Sequence, residues 1–241
     1  KVSNKITYLN FVLAFMILNL HSAYMSLFKT TDIVLLVNQI VRVICNMAVP
    51  TFFYVSAMLF YRSCEKKKYI DVIRKKIKTL LLPYICWNIV CLPLKEFKNY
   101  KSGLGFSFTS PLELLGNIFS SSYDPVLWFI RVLFIYFLFY PVNLFILKKK
   151  RLYPWIIALI FVINIIIGPV YMVGSYIGYW YNDKVFEQNR VNPRYLWIGL
   201  AIIIQIILVF WAVQNSYGLF ICRMVSPILY WIIADIFLIS K

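Results

Sequence analysis

The chain has 241 residues, 62% hydrophobic and 14% charged, with a mean hydropathy of +0.77. Soluble domains carry about 45–50% apolar and about 25% charged residues, so the surplus apolar surface must face lipid. That composition excludes a soluble, disordered, collagen-like or disulfide-stapled chain. The net charge of +16 would suggest an anionic polymer for a soluble protein, yet twelve of the 25 basic residues sit in two short segments between apolar runs, Arg62 to Lys78 and Lys148 to Arg151. Such clustering reads as membrane topology and not as nucleic-acid binding.

A span needs about 20 mainly apolar residues. The pattern predicts an all-α, polytopic transmembrane bundle of about eight spans, near residues 6–28, 34–61, 79–95, 125–147, 152–168, 169–182, 195–214 and 217–239. The first apolar run has no initiator Met before it and no small-residue cleavage site after it, so it reads as a span and not as a removed signal peptide. The sixth run is short. Its Gly174 and Gly178, four apart, would let another helix come close, and a half-length or tilted helix fits equally well.

Charge sets the expected orientation. By the positive-inside rule the basic segments 62–78 and 148–151 are cytoplasmic loops near anionic headgroups, and both termini are cytoplasmic. Loop 96–124 is then external. Its Lys98 and Lys101 stand against Glu96, Glu113 and Asp124, and a short interfacial helix is predicted around Pro111 to Phe119. The five cysteines are odd in number, lack a C-x-x-C pair and lie mostly in apolar runs, which points to packing.

Polar groups inside a span are costly, so each asks for a reason. His21, the only histidine, falls in the outer half of the first span. An imidazole there would suit a general base or acyl carrier, and a histidine hydrogen-bonded at the interface fits the same position. Asn10 lies eleven residues earlier, close to three turns, so the two share a face about 16 Å apart along the axis. Lys5 falls nearly opposite and cannot replace Asn10. Arg131, about one turn inside the fourth span, reads equally as a snorkelling residue or as an anion site. Asp235 reads as interfacial or helix-pairing. Trp128 and the other aromatics near span ends suit an interfacial belt, with sugar stacking as the sharper alternative.

Several segments, in order, resemble the integral membrane acyltransferase 3 family, whose members are similar to polysaccharide O-acetyltransferases. Tyr8 to Ser22 resembles the family's opening helix ending in histidine. Val49-Pro-Thr-Phe-Phe-Tyr-Val-Ser-Ala-Met-Leu-Phe60 resembles its proline and paired aromatics before Ser-Gly. Ile77 to Asn88 resembles a basic segment running into Pro-Tyr. Leu127-Trp-Phe-Ile-Arg131 resembles its Leu-Trp-Phe-Leu helix start, and Tyr171 to Gly178 its later glycine-bearing helix. The matches run over about residues 5–180. Departures are Asn10 where the family usually has Arg or Lys, Ala57 for Gly, and Lys75 with Lys78 for a basic pair in which Arg is common. No late histidine-bearing element follows residue 180, so the resemblance implies a single transmembrane acyltransferase-like domain over 1–241, incomplete at its C-terminal end.

The resemblance implies transfer of an acyl group, acetyl first of all, from cytoplasmic acyl-CoA to a hydroxyl of a surface glycan or lipid-linked sugar, in the plasma or inner membrane and without a metal. It gives His21 the role of general base or transient acyl carrier. Arg74, Lys75 and Lys78 would hold coenzyme phosphates. Arg131 would stabilise charge or orient the acceptor, and Asn10 and Trp128 would face substrate. The rival reading is a membrane protein without chemistry, a transporter or flippase component or a degenerate relative.

Overall fold

In a computed structural model the described residues are 2–22, 31–120, 123–138, 140–141 and 195–236, and they are helical with no strand among them. The helices are α1 (Val2–His21), α2 (Asp32–Asn46), α3 (Ala48–Lys66), α4 (Tyr69–Lys76), α5 (Leu82–Lys101), α6 (Pro111–Phe119), α7 (Trp128–Leu138), α8 (Tyr195–Gln214) and α9 (Ser216–Ile233). The predicted spans near 152–168 and 169–182, the segment Lys148 to Arg151 and the glycine pair at 174 and 178 lie outside the described residues. Four described stretches are long and apolar enough to cross a membrane: Asp32–Cys64, Tyr69–Lys101, Tyr195–Gln214 and Ser216–Ile233.

The expected span 34–61 is nearly one helix, interrupted at Met47. Pro50 has no N–H for the Asn46 carbonyl, and the Met47 N–H turns back to Ile44 O at 3.1 Å. The expected basic loop 62–78 is corrected. It is helical up to Lys66 and again from Tyr69, leaving two residues between. Lysine and arginine are good helix formers, and their charge reports a side of the membrane and not an absence of helix. From Tyr69 the chain stays helical to Lys101 through a π-helical stretch, Ile77–Leu81, in which Leu82 N–H bonds Ile77 O. Pro83 cannot complete the ordinary ladder there, the local reason for the wider turn. Thirty-three helical residues measure about 50 Å against a hydrocarbon core of about 30 Å, so one end projects beyond it.

The chain divides into two compact units, Lys1–Arg62 with Arg151–Lys241, and Ser63–Lys150. In the first, Ile6, Leu9, Leu13 and Met16 form a stripe at helical spacing on α1 that packs with Tyr54, Val55 and Met58 of α3 and with Trp231 and Ala234. Ala57 is fully buried, so a methyl group fits where the family usually has glycine. The α8–α9 hairpin closes tightly. Asn215 caps α9 through its Oδ1, which accepts from Tyr217 N–H at 2.9 Å, and a Cβ on Gly218 would lie 2.7 Å from the Trp211 carbonyl oxygen.

In the second unit, the expected interfacial helix is α6, Pro111–Phe119. Ser110 caps it, accepting from Glu113 N–H at 3.2 Å, while Glu113 reaches back to Thr109 N–H and Oγ1 at 2.7 and 2.8 Å. Both contacts to Thr109 hold the Glu113 carboxyl below its ordinary pKa. The preceding loop is held by Ser107, whose N–H donates to Glu96 at 3.0 Å and whose carbonyl accepts from Asn117 Nδ2 at 2.8 Å.

Candidate functional site

His21 is the last residue of α1, and its ring is exposed. The turn before it is locally closed by Asn19 Nδ2 on Phe15 O at 2.8 Å and by Ser22 Oγ on Asn19 O at 3.0 Å. Asn10, on the same side of the helix, is half-buried. Its Oδ1 is buried and has no hydrogen-bond partner among the described residues. An acceptor left in that condition is expensive, so the position suits a donor supplied from outside the described residues.

Lys5 explains why it does not stand in for Asn10. It is 3% exposed, bonded to Asp235 and set over the Trp231 ring at 4.2 Å, which ties the start of α1 to the end of α9. Asp235 is thus a helix-pairing residue. The same unit holds a second buried polar group. Ser226 Oγ donates to Gln205 Oε1 at 3.0 Å, and Cys222 Sγ lies 3.4 Å from Ser226 Oγ, joining α8 to α9. Among the described residues all five cysteines are free, with Cys45 and Cys222 buried.

In the second unit the cationic candidates lie along one helical stretch. Arg74 and Lys75 are exposed at the end of α4, and Lys78 is exposed in the π-helical turn. Thr79 Oγ1 donates to Lys75 O at 3.0 Å. Lys76, between them, instead lies 5.0 Å over the Phe137 ring. Three exposed cations along one helical stretch can meet an anionic ligand.

Arg131, half-buried in α7, donates from Nη1 to Phe119 O at 2.8 Å. Tyr84 Oη donates to Ile118 O at 2.7 Å and lies 3.0 Å from Phe119 O. A cation and a phenol therefore meet the carbonyl end of α6, where the helix dipole favours positive charge. Trp128 opens α7 and is half-buried. Asn88, one turn beyond Tyr84, is wholly buried. Its Nδ2 bonds Tyr84 O at 2.9 Å, while its Oδ1 has no partner among the described residues.

Sequence reasoning passed over Arg223. It is the eighth of the eighteen residues of α9, half-buried, with its Nε buried and unpartnered among the described residues. A charge in the middle of an apolar run was the signal that could have found it.

The profile of the acyltransferase 3 family, an acyltransferase domain, matches residues 4–240. The chain belongs to that family. The match extends the resemblance past residue 180, where sequence reading had ended it, because α8 and α9 carry apolar pattern with few distinctive residues. Neither curated proteins nor solved structures gave a match. The chain is thus a membrane acyltransferase-family protein whose described residues are helical, with no strand among them.

Proposed function

We propose that the chain moves an acyl group, acetyl in the first instance, from acyl-CoA to a hydroxyl of a surface glycan or lipid-linked sugar. The observation that carries this reading is the family match over nearly the whole chain, and the sole histidine, last residue of α1, supports it by lying in the segment that resembles the family's opening helix. The eight-span arrangement, with both termini and the Arg74 to Lys78 helix end facing the cytoplasm of a plasma or inner membrane, belongs to the same proposal.

Each group has a physical role in it. Arg74, Lys75 and Lys78 attract the coenzyme phosphates as exposed charges. The imidazole of His21 takes the proton of the attacking hydroxyl, or accepts the acyl group and passes it on. Asn10 offers the acceptor sugar an Oδ1 that has no partner among the described residues, and Trp128 offers a ring face at the head of α7. Arg131, fixed against Phe119 O, orients the acceptor on the outer side. Asn10 in place of a cation is the observation on the side of a non-catalytic relative.

The test uses the full chain in membranes, labelled acetyl-CoA and the native envelope glycan. Label passes to glycan, and Lys75→Gln with Lys78→Gln weakens acetyl-CoA binding, most strongly at low salt where screening is least. No transfer to any hydroxyl acceptor would contradict the reading, and unchanged donor affinity at every ionic strength would reduce the lysines to a topology signal.

A further inference from the structure

The stretch Tyr69–Lys101, in the second unit, is long and apolar enough to cross a membrane, and its charges divide it. Lys78 and Lys95 bracket an uncharged run, Thr79 to Leu94, that rises about 24 Å and so fills most of a hydrocarbon core about 30 Å thick. Tyr84 stands inside that run, about 8 Å along the axis from Thr79 and about 15 Å from Leu94. Its phenol donates to Ile118 O at 2.7 Å and lies 3.0 Å from Phe119 O, which also accepts from Arg131 Nη1 at 2.8 Å. The carbonyl end of α6 and the first turns of α7 therefore lie at a depth within the run, although α6, at nine residues, is far too short to cross.

From there α7 leads to the Lys78 end. Tyr69 Oη donates to Phe137 O and Leu138 O at 3.3 and 3.0 Å, and Lys76 stands 5.0 Å over the Phe137 ring. Arg131 to Phe137 is a rise of only about 9 Å, so α7 covers the part between Tyr84 and the basic end. The part toward Lys95 is covered by the loop, α6 and the turn after it. Such a broken crossing is tolerated only where it is buried in protein or lines water, and it brings polar groups to membrane depth. A file of them follows the chain down from the Lys95 end. Ser107 N–H donates to Glu96 at 3.0 Å and Ser107 Oγ to Tyr123 Oη at 3.3 Å, with Lys95 over the Tyr123 ring at 5.3 Å. Asp124 comes next, then Arg131, both half-buried. Charges with that much access at this depth meet water, because lipid contact is too costly.

Resting on the acyl-transfer reading and its orientation, we infer that the break between α6 and α7 is the acceptor's inlet: a hydroxyl-bearing ligand enters from the outer side, follows this file and stops at Arg131. A sugar hydroxyl accepts from a guanidinium and donates to a carboxylate, which Arg131 and Asp124 offer. The inlet ends at the level of Tyr84, about 9 Å along the axis from Lys78, one of the cations assigned to the coenzyme phosphates. The acceptor thus covers most of the bilayer's thickness, and the donor enters only its inner edge.

The experiment labels cysteines of the full chain in sealed, right-side-out membranes, with the reacted sites read by peptide mass. Ser120→Cys, at the exposed end of α6, should react from outside with a small charged thiosulfonate and not with a bulky polyethylene glycol maleimide. Gly105→Cys, in the loop with open space around it, should react with both, and the native Cys86, nearly opposite Tyr84 on α5, with neither. Once modified by the small reagent, Ser120→Cys should transfer acetyl from labelled acetyl-CoA at least ~10-fold more slowly than before, with acetyl-CoA binding within about threefold. Reaction of Ser120→Cys with the bulky reagent would put the end of α6 at the membrane surface, and no reaction with the small one would close the inlet. Either result overturns the inference and leaves the acyl-transfer reading standing, as does transfer unchanged after complete modification. Absence of transfer by the unmodified protein overturns the acyl-transfer reading and the acceptor's inlet with it.

Discussion

Lys5 illustrates what a residue gains its meaning from. In sequence it is a cation at the edge of a first span, and helical geometry sets it away from Asn10. Its partner, Asp235, is 230 positions distant, and no local pattern joins the two. The pair is buried, with side-chain exposures of 4% and 15%. Removing one member leaves the other desolvated, while removing both leaves an apolar contact. Lys5→Met alone should therefore lower stability by about 3 kcal/mol, the low end for a buried pair because Asp235 keeps some solvent. Lys5→Met with Asp235→Leu should recover most of that loss in denaturant unfolding of the purified protein. A double-variant loss equal to the sum of the losses in Lys5→Met and Asp235→Leu alone would show that the pair carries no coupling. The His21–Asn10 relation, by contrast, was legible from eleven-residue spacing alone. Arg223 was equally visible as a charge in an apolar run, yet the burial of its Nε, unpartnered among the described residues, needed the fold.

The elements differ in how openly the sequence declares them. Residues 195–214 and α6 coincide with expectation because each has a clear signal, an uninterrupted apolar run in one case and Ser110-Pro111 with Glu113 in the other. The break at Met47 and the π-helical turn arise from prolines three to six residues along, whose missing N–H groups act backward on the ladder. Hydropathy has no view of that. The basic stretch was read for its charge, and the helix through it was lost. In α6 the capping contacts carry a pH dependence. The Glu113 carboxyl is lowered by Thr109, so its contribution is complete above the ordinary value of 4.5 and is lost as pH falls through the lower folded value. Hydrogen exchange, corrected for intrinsic rates, should show the first-turn amides of α6 losing protection below that pH, and Glu113→Gln should remove the pH step. A step that persists in the Gln variant would assign it to another group. Gly218 is the other sensitive point of an element, since any side chain there meets the Trp211 carbonyl and pries α8 from α9.

At the scale of the molecule, the membrane class follows from composition, because so apolar a chain cannot satisfy water, and the described residues are helical as expected. The family was legible from the order of weakly specific segments, and its reach to residue 240 was not, because apolar helices of similar length look alike. The candidate site divides in the same way. Residue types and spacing pointed to His21, Asn10 and the lysines. The clamp of Arg131 and Tyr84 on α6 and the Gln205–Ser226 bond depend on which helices the fold sets side by side. The account turns on one imidazole at the end of α1. The most direct test is acetyl transfer from labelled acetyl-CoA to envelope glycan by His21→Ala, with membrane insertion and the unfolding midpoint measured on the same preparation. An exposed side chain at a helix end contributes little to packing, so the variant should insert and unfold as the unmodified protein does while transfer falls at least ~100-fold. Transfer at the unmodified rate by the folded His21→Ala protein would contradict the account.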